Sequence, residues 1–246
     1  MDATARITQA LLQARHERRP LHWQQALPAD VEAACAVQEA TAAALGGIAG
    51  WKVGAASPTA QPSCAPLPRG ALLPMGSQLP GPLRGIEVEV ALRLGRDLEA
   101  DVPPDPRELQ QAVDQVLPAI EVVETRLDGW RDAAPLAQMA DLQSHGALVL
   151  GRPAAIAPAE VDLRRLLAYL AFDGQPVASA RGAHAAGDCW RLLGWLVVHC
   201  TRRGHPLRAG QVVTTGSCSG LLFAPAGAQV DAELLGVGRV SLSFAP

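Results

Sequence analysis

The chain has 246 residues, enough for one large domain with a sizeable hydrophobic core. Hydrophobic residues make up 49% and charged residues 18%, a composition that is typical of globular proteins and excludes a disordered chain. The net charge of −3 with scattered arginines predicts no binding to nucleic acid, and the lack of an apolar run of about 18 residues predicts no membrane segment.

Cysteine usage and the first residues both favour a cytoplasmic protein. The five cysteines are odd in number and form no C-x-x-C pair. This pattern indicates reduced thiols and argues against a disulfide framework or a thiolate zinc site. The first twenty residues are charged and amphipathic, unlike a signal peptide.

The first elements in chain order are helical. Apolar residues at near-helical spacing predict a helix at 4–16. A second helix is predicted within 27–45, with Asp30 as its N-cap and a pair of glycines after its end. We expect one domain, with a helical N-terminal segment at 1–47 and a β-rich core at 48–246.

The next stretch predicts strands separated by a long loop. A short strand at 48–57 precedes residues 57–82, whose proline, glycine and serine content predicts an irregular loop with at most one short strand. A strand at 85–94 follows. A helix at about 105–116 then leads into a second strand that carries Glu121.

The last elements complete the fold class. The pattern predicts a strand at 145–151 and a hairpin around Asp173, although the first half of that hairpin also suits a short helix. A helix ending at Gly204 precedes strands at 211–223 and 232–244, which we expect to form a C-terminal meander. Because strands and helices do not alternate regularly, the fold class is α+β with a rolled, mostly antiparallel sheet.

Three glutamates form the first candidate site. Glu87 and Glu89 stand two apart on one strand and therefore point to the same side. Glu121 lies in a second apolar strand. Three carboxylates with no histidine nearby are an all-oxygen ligand set, which suits Mg²⁺ or Mn²⁺ rather than zinc. The alternative for the pair alone is an ordinary solvated strand face.

The chain has one lysine, Lys52, among 21 strongly basic residues. It lies between two apolar residues of a strand, where an ammonium group is costly unless it meets carboxylates or a substrate anion. Chance survival is the alternative. The "TTGSCSG" stretch at 214–220 offers backbone N–H groups to a carboxylate, or is an ordinary glycine-rich turn. The histidines show no metal-binding spacing, and His199 is predicted to pack on its helix.

Segments along nearly the whole chain resemble the hydratase and decarboxylase branch of the fumarylacetoacetate hydrolase superfamily. The "ExE" strand followed about 30 residues later by "LPAIEVV" is the most specific of these features. The matching segments are "AVQEA" at 36–40, "GWKVGAAS" at 50–57, "IEVEVALRLGRDL" at 86–98, "VLPAIEVVETRLDGW" at 116–130, "ADLQSHGALVLG" at 140–151, "LRAGQVVTTGS" at 207–217 and "GVGRVSLSF" at 236–244.

The resemblance implies a fold, a site and partners. The fold would be a rolled mixed β-sheet like the C-terminal domain of fumarylacetoacetase, in a homo-oligomer of two or more chains. The cofactor would be Mg²⁺ or Mn²⁺, and the substrate a small 2-oxo or 2-hydroxy acid from aromatic catabolism. The implied metal ligands are Glu87, Glu89 and Glu121, the implied catalytic lysine is Lys52, and the implied substrate contacts are Ser144, Thr215, Gly216 and Ser217.

The chain departs from the family pattern at three places. Pro74 stands where the family usually has an acid, Leu142 where it usually has asparagine, and Cys189 where it usually has proline. The missing acid leaves the proton-transfer step without its usual residue. Glu124 and Asp141 are the candidates to replace it.

The function that these expectations favour is a metal-dependent hydratase. Such an enzyme would add water to a 2-hydroxy-2,4-dienoate of the 2-keto-4-pentenoate type and give a 4-hydroxy-2-oxo acid. The alternatives are a decarboxylase of a 2-oxo-3-enedioate of the 4-oxalocrotonate type, an acylpyruvate hydrolase or tautomerase of the same superfamily, or a non-catalytic relative.

Overall fold

The structure is a computed structural model that describes residues 2–246. Its helices are α1 (Ala3–Glu17), α2 (Val31–Ala44), α3 (Pro106–Ala112), α4 (Pro135–Ala140) and α5 (Cys189–Arg202). Its strands are β1 (Leu21–His22), β2 (Ile48–Gly54), β3 (Ser63–Pro68), β4 (Leu72–Pro74), β5 (Gln78–Leu79), β6 (Gly85–Leu94), β7 (Val113–Val123), β8 (Leu127–Asp128), β9 (His145–Leu150), β10 (Leu167–Phe172), β11 (Gln175–Arg181), β12 (Val212–Ser217), β13 (Leu222–Phe223), β14 (Gln229–Leu234) and β15 (Gly238–Phe244).

Two large sheets contain most of these strands, and β1 and β8 form a separate two-stranded parallel sheet. The larger has the order β3-β2-β12-β6-β7-β9-β4, with β13 paired to β6 outside this path. The smaller has the order β11-β10-β14-β15-β5. Most pairs in these two sheets are antiparallel, but β2 with β12, β4 with β9 and β5 with β15 are parallel. The predicted α+β class with a rolled mixed sheet is confirmed.

The main hydrophobic core determines which way the acids point. Ile86, Val88 and Val90 of β6 are fully buried in this core, where residues of both sheets and of α5 meet. Because neighbouring side chains of a strand point to opposite faces, Glu87 and Glu89 lie on the other face of the large sheet. Burial of the apolar side thus fixes the direction of the two carboxylates.

The two predicted N-terminal helices are confirmed. The side chain of Asp30 accepts a hydrogen bond from the backbone N–H of Ala33 and caps α2, as expected. Ile7 of α1 and Val37 of α2 are buried in a second cluster that also contains Ala137 of α4. The helical segment therefore packs on residues from the second half of the chain, and the boundary at residue 47 stays a prediction.

Three expectations about secondary structure are wrong. Residues 57–82 form β3, β4 and β5, whereas we expected at most one strand. Helix α3 ends at Ala112, because Val113 already pairs with Leu94 across the β6–β7 ladder. Strand β12 is not part of a C-terminal meander, since it inserts between β2 and β6. In each case, pairing between distant strands outweighs the local pattern.

The state of the cysteines and the length of the helices can be compared with the sequence expectations. All five cysteines are free and buried. Within residues 2–246, the helices are too short or too polar to cross a membrane.

Candidate active site

The three glutamates meet on the outer face of the large sheet. Glu87 of β6 lies directly opposite Glu121 of β7 in the antiparallel ladder, and Glu89 is two residues further along β6. One carboxylate oxygen from each of the three side chains can be chosen so that all lie within 4.8 Å of one another. Glu89 and Glu121 are only 2% and 1% exposed. The register of two strands therefore builds a buried cluster of three acids.

Burial and mutual repulsion act on these carboxylates together. Burial, and then the negative charge of Glu121, raise the pKa of Glu87. Burial and both neighbouring acids raise the pKa of Glu89 further. Burial pushes the pKa of Glu121 upward as well, but the charge of Lys52 and the hydrogen bond from His145 outweigh it and lower that pKa. Glu121 is thus the acid that the surroundings hold ionised.

Lys52 reaches the cluster from two strands away. Lys52 pairs with Thr214 of β12, and Thr214 pairs with Ala91 of β6, so Lys52 lies on the same sheet face as the acids. Its Nζ atom is 2.5 Å from Oε1 of Glu121 and donates to the carbonyl oxygen of Gln143 at 3.2 Å. Burial works to lower the pKa of Lys52, but the three carboxylates raise it overall. The amine therefore stays protonated in this structure.

A β-bulge in β12 brings a backbone donor to Glu89. Between Thr214 and Ser217 the β12 strand has one more residue than its β6 partner. At the bulge, Gly216 has φ +102°, and its N–H donates to Oε2 of Glu89 at 3.1 Å. His184 Nε2 donates to the carbonyl of Thr215 at 2.5 Å, and its Nδ1 accepts from Gly187. The buried His184 ring thus supports the bulge.

A left-handed turn presents the carbonyl that Lys52 contacts. Leu142, Gln143 and Ser144 have φ angles of 52°, 51° and 59° in succession. Residues other than glycine adopt this region at a cost, and such strain is common at functional sites. The turn points the Gln143 carbonyl at Lys52.

His145 is a site residue that the sequence reasoning missed. Its Nδ1 is 3.0 Å from Oε1 of Glu121, and the ring is fully buried. Burial lowers the pKa of His145 although Glu121 opposes the shift. The expectation of no histidine near the acids is therefore wrong. In the sequence, His145 is marked only by its place at the start of the strand that follows "ADLQS". Glu121 is 24 positions away, so no local pattern links the two residues.

A cavity of about 470 Å³ opens beside the acids. Glu87, Gln143 and Ser144 contribute polar groups to its wall. The other lining residues are mainly apolar, and within the described chain the lining includes no arginine, lysine or histidine: Ser63, Val123, Trp130, Pro135, Gln138, Met139 and Leu221. The cavity suits a small molecule that binds at the acids and extends an uncharged end.

Asp141 lies outside the acid cluster. Its carboxylate forms a buried ion pair with Arg126, with 2.5 Å between Arg126 Nε and Oδ1, and accepts from Thr125 Oγ1 at 2.9 Å. Arg126 also donates to the Asp141 backbone carbonyl at 2.7 Å. These contacts occupy both carboxylate oxygens, so the structure gives Asp141 a fold-supporting position rather than a place beside the cavity.

Glu124 lies in a different cavity. It lines a space of about 650 Å³ together with Arg15 and Arg18, and this space shares no lining residue with the cavity at the acids. Burial raises the pKa of Glu124, against hydrogen bonds from Leu83 and Thr125. The structure therefore does not bring Glu124 to the acid cluster.

The predicted substrate contacts divide into two groups. Ser144 lines the cavity beside Glu87, and Gly216 contacts Glu89 through its N–H. Thr215 is fully buried, and its hydroxyl donates to the Val90 carbonyl at 3.3 Å. Ser217 donates its hydroxyl to the Gly220 carbonyl at 3.2 Å. Thr215 and Ser217 thus hold the loop, whereas Ser144 and Gly216 reach the site.

The donor set fits a divalent cation. Oε2 of Glu121 is buried and has no hydrogen-bond partner in the described part of the chain, which is costly for a carboxylate oxygen. Three carboxylates oppose the single charge of Lys52, so two negative charges are left when all three acids are ionised. Hard oxygen ligands with that excess charge match Mg²⁺, Ca²⁺ or Mn²⁺.

The fold and this acidic site define a class of protein. The chain belongs to the family described as fumarylacetoacetate (FAA) hydrolase C-terminal, whose model matches residues 52–244. Among its relatives, it is 34% identical over 159 residues to the 2-keto-4-pentenoate hydratase of Paraburkholderia xenovorans (strain LB400), covering 65% of this chain and 58% of the relative. It is 33% identical over 180 residues to the 2-keto-4-pentenoate hydratase of Paraburkholderia phymatum, covering 71% of this chain and 67% of that one.

The solved structures agree on the fold. The chain is similar to the 4-oxalocrotonate decarboxylase of Pseudomonas putida G7, described as complexed with calcium and acetate, with a TM-score of 0.82 and 22% identity over 98% of this chain and 96% of that one. It is similar at a TM-score of 0.62 to the 2-hydroxyhepta-2,4-diene-1,7-dioate isomerase of Mycobacterium marinum, with 17% identity over 81% and 76% of the two chains.

Proposed function

We propose that the protein is a metal-dependent hydratase that adds water to a 2-hydroxy-2,4-dienoate and releases a 4-hydroxy-2-oxo acid. The observation that carries the proposal is the cluster of Glu87, Glu89 and Glu121 beside the single lysine. The names of the hydratase relatives support the same reaction, although the chain spans only 58% of the length of the first of them.

The three glutamates would hold the metal, which we propose to be Mg²⁺ or Mn²⁺. The solved 4-oxalocrotonate decarboxylase structures are described as complexed with calcium or magnesium, which supports a divalent ion here. When bound, such an ion supplies Lewis acidity to the oxygens of a 2-oxo acid. Glu121 can bind the ion through Oε2, which has no hydrogen-bond partner among the described residues.

Lys52 would act on the substrate from beside the metal. Its ammonium is held by Oε1 of Glu121 and by the Gln143 carbonyl, so it is fixed in one place and keeps a third N–H free to donate. A fixed positive charge there favours the substrate carboxylate and the negative charge that develops when a proton leaves the substrate. Because the raised pKa keeps this amine protonated, we propose that Lys52 acts through its charge and as a proton donor, and does not take the proton from the substrate.

The cavity would hold the chain of the substrate. Ser144 lines the cavity, and we assign it as a donor to a substrate oxygen. The N–H of Gly216 donates to Glu89, so we propose that Gly216 serves the substrate site by holding that carboxylate. Trp130, Met139 and Leu221 present apolar surface to the end of the substrate that lies away from the metal. We propose that Thr215 and Ser217 serve substrate binding by holding the shape of the loop beside the site, through their hydrogen bonds to backbone carbonyls.

The lack of a basic residue in the described lining favours hydration over decarboxylation. A 2-oxo-3-enedioate carries a second carboxylate, which would enter this cavity without an arginine, lysine or histidine in its lining among residues 2–246. A buried carboxylate without a partner is strongly unfavourable. A dienoate with a vinyl or alkyl end meets no such penalty.

Glu124 and Asp141 remain proposals for the residue that replaces the missing loop acid. Neither lines the cavity at the acids, so either one would have to act indirectly. Asp141 could do so through Arg126, which donates to the backbone of His145 at 2.9 Å. Glu124 could do so through the adjoining backbone of the Ser144 turn, whose carbonyl accepts from the Glu124 N–H at 2.8 Å.

We also propose a homo-oligomer in the cytoplasm. Exposed apolar side chains, including Met75, Tyr169 and Val177, lie on or near the smaller sheet and offer surface for a second copy. Five free, buried thiols are in keeping with a reducing compartment. Light scattering at several protein concentrations would measure the number of chains.

A substrate screen tests the proposed reaction. The purified protein is mixed with Mg²⁺ or Mn²⁺ and either 2-hydroxypenta-2,4-dienoate or 4-oxalocrotonate. We expect metal-dependent loss of the dienoate absorbance and formation of 4-hydroxy-2-oxopentanoate. Release of CO₂ from 4-oxalocrotonate at a higher rate would select the decarboxylase. Cleavage of acylpyruvates would select the hydrolase, and metal binding without turnover of any of these acids would indicate a non-catalytic relative.

A further inference from the structure

Glu121 receives all of its side-chain contacts at one oxygen. The Lys52 ammonium lies 2.5 Å from Oε1, and Nδ1 of His145 lies 3.0 Å from the same atom. Oε2 is buried and has no partner among the described residues. A carboxylate oxygen only accepts hydrogen bonds, so both neighbours donate to Oε1. The two donors thus determine which oxygen of Glu121 stays free.

Burial and backbone contacts fix the position of His145. The side chain is fully buried, so it cannot turn to solvent. Its backbone carbonyl accepts hydrogen bonds from Arg15 Nη2 at 3.1 Å and from Arg126 Nη1 at 2.9 Å. Arg126 is in turn fixed by the carboxylate of Asp141. A chain of contacts therefore runs from Asp141 through Arg126 and His145 to Glu121.

A neutral donor has a particular advantage at this place. The acids and Lys52 together leave an excess of two negative charges for a divalent ion. A second ammonium or guanidinium at position 145 would reduce that excess, whereas a neutral imidazole orients the carboxylate without changing it. Removing a group that orients a metal ligand in this way commonly weakens metal binding by about 10- to 100-fold.

We propose that His145 is a positioning residue of the metal centre, whose Nδ1–H fixes Glu121 so that Oε2 is the atom that binds the divalent ion. The inference rests on the metal centre of the proposed function and is independent of the substrate. It assigns a role to a histidine that touches neither the substrate cavity nor, directly, the metal.

Two carboxamide variants separate positioning from packing. In His145→Asn, the side-chain N–H₂ can occupy nearly the position of Nδ1. In His145→Gln, the N–H₂ lies one methylene further out, nearer the position of Nε2, while the side chain matches the volume of histidine more closely. The third variant, His145→Leu, removes the donor. The dissociation constant of Mn²⁺ is measured for each by electron paramagnetic resonance without substrate, and the metal-free melting temperature is measured in parallel.

We expect His145→Asn to keep a dissociation constant close to that of the wild type. His145→Gln and His145→Leu should both bind Mn²⁺ more weakly by about 10- to 100-fold. The melting temperatures should follow the opposite order for the two carboxamides, because asparagine leaves the larger void in a buried site. If His145→Leu does not fold, the comparison of His145→Asn with His145→Gln decides the question.

Equal Mn²⁺ affinity in the wild type, His145→Gln and His145→Leu would overturn the inference while leaving the metal centre in place. An order of affinities that follows the melting temperatures, with His145→Gln binding better than His145→Asn, would also overturn it and assign His145 a packing role. No Mn²⁺ binding by the wild type would instead remove the metal centre of the proposed function, and the positioning role with it.

Discussion

The Nζ atom of Lys52 lies 2.5 Å from Oε1 of Glu121, and both side chains are largely buried. The chain has no other lysine, and this one sits where three acids need a positive charge. A compact ammonium fits between Glu121 and the Gln143 carbonyl, whereas a planar guanidinium is larger and has a different donor geometry. The contact therefore explains why arginine does not occupy this position.

Replacing Lys52 tests that explanation. We expect Lys52→Arg and Lys52→Met both to reduce kcat by about 100-fold or more, the usual effect of removing a proton donor or a charge that stabilises a developing anion. Steady-state rates with the dienoate substrate give the measurement. The exposed Arg208→Lys serves as the control, because within residues 2–246 Arg208 pairs only with the half-exposed Asp97. Retention of most activity in Lys52→Arg would show that position 52 needs only positive charge.

We expect the main effect of replacing Asp141 to be on the stability of the fold. Asp141→Asn leaves the buried guanidinium of Arg126 without its charged partner, which should lower the free energy of unfolding by about 3–5 kcal/mol. Asp162→Asn breaks the exposed pair with Arg164 and should cost less than about 1 kcal/mol. Urea denaturation compares the two. A stable Asp141→Asn variant with a strongly reduced kcat would instead favour Asp141 as the residue that replaces the missing loop acid.

The bulge at Gly216 is expected to resist any side chain. A Cβ atom there would combine φ +102° with an approach of 3.1 Å to Nε2 of His184. Gly216→Ala should therefore lower stability by about 1 kcal/mol or more and weaken metal binding, since the N–H that holds Glu89 must move. Gly220→Ala is the matched control, because Gly220 has φ +76° with open space around it. Equal losses in both variants would mean that backbone strain alone is responsible.

His184 predicts a pH dependence of stability. Burial lowers the pKa of His184 below its ordinary value of 6.5, so the unfolded chain binds a proton more readily than the folded one. Its contribution to stability is therefore present above about pH 6.5 and is lost as the pH falls through the folded-state pKa. Melting temperatures between pH 8 and pH 5 should fall more for the wild type than for His184→Gln. The control His16→Gln, at an exposed position, should show the same fall in melting temperature as the wild type. An equal fall in His184→Gln would contradict the assignment.

Local patterns in the sequence were enough to single out the three glutamates. Alternation along β6 places Glu87 and Glu89 together on one face, and the apolar neighbours of Glu121 indicate a buried strand. Lys52 was identified by its type and by its apolar neighbours. The meeting of these four residues follows from strand pairing, which the sequence alone does not specify but the family resemblance implied.

The features that the sequence analysis did not anticipate depend on contacts between distant parts of the chain. His145 meets Glu121 only because β9 pairs with β7, and a histidine at a strand start has no local signature of that role. Asp141 looked like a possible proton carrier, yet its partner Arg126 is 15 positions away and occupies its carboxylate. The β-bulge at Gly216 depends likewise on the insertion of β12 between β2 and β6, which the local pattern assigned to a meander.

Metal titration of ligand variants is the most direct test of the account. Mn²⁺ is titrated into the wild type, Glu87→Gln, Glu121→Gln and the control Glu124→Gln, whose carboxylate lies in the other cavity. We predict one bound ion per chain in the wild type and in Glu124→Gln, with an affinity lower by at least about 100-fold in the two ligand variants. Binding of equal strength in all four proteins, or no binding by the wild type, would contradict the proposed metal centre.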